Sequence, residues 1–287
     1  MLTNPTLDNL SRLKLGGMAR ALLEQREQPT YNTLSFEERL GLLIDRELQD
    51  RDNRRLDRHL KAAKLRSSAC VQDIDFHHPR GLDRAQLLQL ASSRWVEGHQ
   101  QVLIVGPTGA GKTYIACALG HAAICQGHTA LYLRVPRMLA DLITARADGR
   151  FPRLIAALAR VDVLILDDFA LQPLTSQQAG ELLEVVEDRS GLRSTIVTSQ
   201  LPVALWHESL GEPTVADAIL DRLLHGSHRI ELRGESLRKG AAGNPAPSLP
   251  VKRQSKRSPP AAGALVTQAD ELCKTDLEVD EKEVTRG

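Results

Sequence analysis

The chain has 287 residues, 42% of them hydrophobic, with 37 Lys and Arg against 36 Asp and Glu. That length and apolar share allow one sizeable core with an appendage or two modest domains, and they exclude a fibrous or wholly disordered chain. A formal charge of +1 announces no polyanionic partner, so any such partner must be argued from local clusters.

The opening MLTNPTLDNLSRLKLGG lacks the basic patch and apolar run of a secretory signal. No stretch approaches about 18 consecutive apolar residues, so no membrane span is expected. Cys70, Cys117, Cys125 and Cys273 are scattered without a CxxC pair, which suits reduced thiols and a cytoplasmic location. Cys125 with His128, and His77 with His78, each lack the second half of a zinc site.

Residues 1–75 read as a small all-α domain with a role in oligomerisation or in DNA or partner contact. SFEERLGLLIDREL opens with a capping box, Ser35 to Glu38, and puts Phe36, Leu40, Leu43, Ile44 and Leu48 on one helical face as an expected packing surface. RDNRRLDRHLKAAKLR follows, where Arg51, Arg54, Arg55, Arg58, Lys61, Lys64 and Arg66 face only Asp52 and Asp57. This basic face is either a solvated surface or a contact for DNA phosphates or an acidic partner.

DIDFHHPRG, residues 73–81, reads as a connector because Pro79 and Gly81 interrupt the helical pattern, and a second domain spans 76–240. Within it the β-rich runs QVLIV, ALYLRV, VDVLILD, STIVTS and HRIEL alternate with helical segments. The expected fold class is therefore α/β, a five-stranded parallel sheet flanked by helices. Residues 241–287, rich in Pro, Ala, Gly, Ser and basic residues, read as a disordered tail.

The first β-rich run ends in GPTGAGKT, a match to G-x-x-x-x-G-K-[ST]. Gly106, Pro107, Thr108, Gly109, Ala110 and Gly111 form a turn whose main-chain N–H groups, Pro107 having none, are suited to curl around phosphate oxygens at a helix N-terminus. Lys112 is expected to reach the β- and γ-phosphates, and the Thr113 hydroxyl to ligate Mg²⁺. VDVLILDDF ends an apolar strand in two carboxylates at the edge where open α/β sheets bind ligands. Asp167 is the expected Mg²⁺ partner, direct or indirect, and Asp168 the group that polarises attacking water. STIVTSQ is expected to lie between those two strands and to offer Ser199 or Gln200 to the γ-phosphate. Arg222 and Arg238 are candidates to neutralise charge on that phosphate, from the same chain or a neighbour.

Together VGPTGAGKTYIACALGHAA, VDVLILDDFALQPLT, TIVTSQLPV, ILDRLLHGSHRIEL and GESLR resemble the AAA+ ATPases. More narrowly they resemble the IstB-like helper ATPases of bacterial insertion sequences, relatives of DnaC-type helicase loaders. The amino-terminal YNTLSFEERLGLLIDRE carries the same resemblance, which covers roughly residues 5 to 240. It implies a P-loop AAA+ fold and an ATP- and Mg²⁺-dependent accessory that assembles as a homo-oligomer on double-stranded DNA and helps its cognate transposase. In those terms Lys112 and Thr113 are the Walker A pair, Asp167 the Walker B metal residue and Asp168 the hydrolytic acid. Gln200 resembles sensor 1, Arg222 the arginine finger and Arg238 sensor 2. Two positions depart from the common pattern, which has Glu where Asp168 stands and Asn where Gln200 stands; slow or partner-stimulated hydrolysis fits the first. Related loaders and initiators also imply DNA contacts from Arg146, Arg150, Arg153 and Arg160. The rival functions are a replicative helicase loader, a P-loop small-molecule kinase and an ATP-gated binding module that hardly hydrolyses.

Overall fold

A computed structural model describes residues 5–234. The expected tail at 241–287 and Arg238 lie outside them. In chain order the elements are α1 (Pro5–Arg12), α2 (Gly16–Glu27), α3 (Phe36–Ala63), α4 (Arg84–Ala91), α5 (Arg94–Glu97), β1 (Val102–Val105), α6 (Lys112–Cys125) and β2 (Ala130–Arg134). There follow α7 (Val135–Ala147), α8 (Phe151–Arg160), β3 (Val163–Phe169), α9 (Ser176–Glu187), β4 (Ser194–Ser199), α10 (Trp206–Leu210), α11 (Pro213–Leu224) and β5 (His228–Glu231).

The five strands form one parallel sheet in the order β2-β3-β4-β1-β5. β4 therefore stands between the strand that leads into GPTGAGKT and the strand that ends in the acid pair, as the sequence leads one to expect. Both faces of a parallel sheet are covered by its crossover helices, so its strands read as nearly unbroken apolar runs. Alternate residues feed two cores. Val102, Ile104, Val163, Ile165, Ile196 and Ile230 pack with α6 on one face. Leu103, Val105, Leu164, Leu166 and Val197 pack with α7, α8, α9 and α11 on the other.

The capping box at Ser35 is present: Ser35 Oγ accepts from Glu38 N, and Glu38 Oε2 accepts from Ser35 N at 2.7 Å. Of the Leu-rich stripe behind it, Leu43 alone is half-buried, and the other four residues stay exposed within the chain. Phe36 is 78% exposed, Leu48 54%, Ile44 45% and Leu40 37%. Helix α2 instead packs on the adjoining face, where Gly17 lies so close that a Cβ would come within 2.7 Å of Glu47 Cα. The buried Glu47 carboxylate accepts from the amides of Gly17 and Met18 and from Arg51. The glycine and glutamate, rather than the leucines, choose the face. Further along α3, Leu56, Leu60 and Ala63 join the sheet's own core, followed by Leu65, Ala69, Val71 and Ile74.

Among the arginines implied as DNA contacts, Arg146 is paired within the chain while its side chain stays about half exposed. It forks onto Glu181 at 2.7 and 3.1 Å, reaches Glu184, and lies over the Phe151 ring at 3.8 Å, tying α7, α8 and α9 together. Arg150 pairs with Asp148, while Arg153 and Arg160 are exposed on α8. No helix among the described residues is long and apolar enough to cross a membrane.

Candidate nucleotide-binding site

The loop between β1 and α6 uses its glycines for backbone geometry. Gly106 has φ 151°, and a Cβ there would sit 2.5 Å from the carbonyl oxygen of Leu232, just past β5. Gly109 and Gly111 are left-handed, at φ 85° and 93°, and Gly111 is the N-cap of α6. Glycine adopts these angles without steric cost, which leaves the N-terminal amides and dipole of α6 facing the concave side of the loop. Lys112 is 8% exposed, with Nζ donating to the carbonyls of Gly106 at 2.8 Å and Pro107 at 2.9 Å. Burial pushes its pKa down, and the charges of Asp167 and Asp168 partly restore it. Both carboxylates therefore act on this ammonium.

Parallel strand geometry alone would turn successive side chains to opposite faces. At the end of β3 the register against β4 shifts between Leu166 and Phe169, and Asp168 takes a left-handed φ of 59°. The irregularity re-aims the pair. Asp167 is 1% exposed and accepts from Thr113 Oγ1 at 2.9 and 3.1 Å, from the Tyr132 hydroxyl and from Thr198 Oγ1. The Arg66 guanidinium lies 3.6 Å from it. Asp168 is partly open, and its Oδ2 accepts from Arg134 Nε at 2.8 Å.

At the tip of β4 the two sequence candidates separate. Ser199 is buried and spent within the fold, donating to Phe169 O and accepting from Leu201 N. Gln200 reaches the loop, its Oε1 accepting from Thr108 Oγ1 at 2.6 Å. Arg222 is not brought to this loop. It sits near the end of α11, donating to Glu187 and to Ala218 O. From there the chain needs only residues 225–227 to reach the start of β5, which is level with the start of β1. That edge is opposite the one carrying GPTGAGKT.

The supposed connector contributes what spacing did not reveal. Arg80 is 4% exposed and donates to Ala110 O inside the loop and to Asp75 O, while burial lowers its pKa. With Asp73, Asp75, Lys112, Thr113 and Tyr114 it lines a cavity of about 350 Å³ beside the loop. That is large enough for a nucleoside portion. Arg66, Arg134, Tyr132 and Thr198 were likewise missed. Only the last two leave a faint trace, as polar residues within apolar strands.

The family model for IstB-like ATP binding proteins matches residues 8–243. The chain belongs to that family. Insertion sequence ATP-binding protein y4pL of Sinorhizobium fredii is 51% identical over 239 residues, 83% of this chain and 98% of the relative. The IS1162 ATP-binding protein of Pseudomonas fluorescens is 54% identical over 203 residues, 70% and 88% of the two chains. That of IS21 in Pseudomonas aeruginosa is 34% identical, covering 80% and 86%. Among solved structures, the DnaC helicase loader aligns with a TM-score of 0.47 at 19% identity, over 61% of this chain and 98% of the loader. The replication initiator DnaA, bound to AMPPCP and single-stranded DNA, aligns at 0.49 and 17%, over 60% and 52%. As an IstB-like protein this chain is an ATP-binding protein with a P-loop AAA+ fold.

Proposed function

We propose that this IstB-like protein is a DNA-dependent ATPase that oligomerises on double-stranded DNA and recruits or stimulates the transposase of its insertion sequence. The observation that carries the reading is the meeting of Lys112, Thr113, Asp167 and Asp168 at one sheet edge, with β4 between the two strands that supply them. The naming of its relatives as insertion sequence ATP-binding proteins supports the transposition context. Residues up to about 75 serve DNA or partner contact and residues 76–240 serve as the ATPase unit, with the end of α3 and residues 65–75 shared between the two because they enter the sheet's core and line the cavity.

The main-chain N–H groups of 108–111 and the Lys112 ammonium bind the β- and γ-phosphates, and the cavity beside Arg80 takes the base and sugar. Thr113 and Asp167 offer hydroxyl and carboxylate oxygen, the hard donors that suit Mg²⁺, which usually binds few protein groups plus phosphates and water. When bound, Mg²⁺ supplies positive charge against the phosphate oxygens. Asp168 orients and deprotonates the attacking water, and its partner Arg134 holds that carboxylate until the γ-phosphate arrives. Gln200 senses the γ-phosphate through the loop. Arg222, facing away from its own loop, serves the nucleotide of a neighbouring subunit. Arg238 is proposed as sensor 2.

The test is phosphate release with and without duplex DNA, alongside particle size on DNA with a nonhydrolysable ATP analogue. DNA-stimulated release and a large analogue-dependent complex are expected. Turnover only with a small phosphoryl acceptor, or no nucleotide effect on size, sinks the proposal.

A further inference from the structure

Asp167 is nearly inaccessible, and a buried carboxylate needs hydrogen bonds and a counter-charge. Three hydroxyls, from Thr113, Tyr132 and Thr198, supply the hydrogen bonds. Among the described residues the one cation within ion-pair distance is Arg66, whose own side chain remains half exposed. Lys112 directs its ammonium to loop carbonyls instead.

The path that brings Arg66 there is specific. Helix α3 stops at Lys64, which turns the chain in a left-handed conformation with φ 50°. Leu65 then anchors the strap against α6, where a Cβ on Gly120 would meet Leu65 at 3.5 Å and Ile165 at 2.7 Å. The next residue is Arg66. The same strap runs on to Asp73, Asp75 and Arg80, which line the nucleotide cavity. One continuous segment, leaving the helix with the basic face, thus touches both Asp167 and the cavity.

We propose that Arg66 is the stand-in counter-cation of Asp167, displaced when a divalent ion binds beside Thr113, and that its displacement loosens the strap and signals the metal-nucleotide state to α3. The inference rests on the nucleotide site proposed above. A guanidinium and a divalent cation repel when they share one carboxylate, and water on the exposed side of Arg66 makes its departure inexpensive. Coupling is reciprocal, so any partner that moves the end of α3 shifts metal affinity by the same factor.

The experiment uses the full chain saturated with a nonhydrolysable ATP analogue and titrated with Mn²⁺ as a paramagnetic probe. Wild type, Arg66→Gln and Arg66→Lys are compared by electron paramagnetic resonance and by amide exchange over residues 64–72. Arg66→Gln is expected to bind Mn²⁺ about fivefold more tightly, the upper end for a half-exposed ion pair. Its strap should exchange at one rate with and without metal. Wild type and Arg66→Lys should show faster strap exchange on metal addition. Equal or weaker Mn²⁺ binding in Arg66→Gln, or a metal-induced exchange change that persists in it, overturns the inference and leaves the site reading standing. Failure of wild type to bind Mn²⁺ with the analogue removes both.

Discussion

Lys112 is a cation held in a partly dry cradle, and both features have measurable consequences. Its removal should abolish ATP binding, so Lys112→Ala is expected to show no heat of binding in calorimetry. Affinity comparable to wild type would remove the phosphate-gripping role. Because burial lowers its pKa from the ordinary 10.5, ATP affinity should be full below the depressed value. It should then fall as pH rises through that value, since binding must reload a proton. Calorimetry between pH 7 and 10 checks the sign, and Lys112→Arg should flatten the profile because a guanidinium stays charged. Asp168→Asn should keep ATP binding and lose phosphate release. Arg80→Ala removes a charged donor to the loop carbonyl of Ala110 and should weaken ATP binding about tenfold, the usual weight of such a hydrogen bond. Of these residues, Lys112 and Asp168 were legible because their chemistry is written in contiguous motifs. Arg80 was not, because a lone arginine in HHPRG carries no periodicity and becomes a site residue only where its strap crosses the loop.

Between elements, a few buried polar side chains decide how the layers lock. Arg189, just beyond α9, is 1% exposed and donates to the carbonyls of Leu158, Val161 and Ser194 and to the Thr195 hydroxyl. It fastens the end of α8 to the beginnings of β3 and β4, and burial lowers its pKa to about 9. Arg189→Met should leave those acceptors unsatisfied and cost about 3 kcal/mol in urea unfolding. A midpoint unchanged from wild type would show that the tie is idle. The elements themselves were readable: all five strands and the capped start of α3 fall where alternation and the capping box put them. Of the stripe at Phe36, Leu40, Leu43, Ile44 and Leu48 only Leu43 is half-buried within the chain, since periodicity reports which residues share a face but not whether α2 chooses that face. Gly17 against Glu47 made the choice.

For the whole molecule, the position of Arg222 carries the strongest expectation. An arginine near the start of β5 is separated from its own GPTGAGKT by the length of the sheet, so its service to hydrolysis requires a second subunit. Arg222→Ala should bind ATP normally and fail to turn over, and Lys112→Ala should fail to bind. Mixing the two should restore partial phosphate release on DNA, because some interfaces then pair an intact loop with an intact arginine. A mixture as inactive as its components would end the shared-site reading.

The sequence by itself determined the nucleotide loop, the two acids, the five strands and the membership of the IstB-like family, because each depends on residues adjacent in the chain or repeating at a fixed short period. Only the tertiary structure decided that Thr113, Tyr132, Thr198 and Arg66 converge on Asp167, that Arg134 takes Asp168, and that Gln200 rather than Ser199 meets the loop. Those approaches are fixed by strand register, by the bulge at the end of β3 and by the path of the strap leaving α3. These are relations between distant segments, set by how two cores close on a sheet and not by any local pattern of residues.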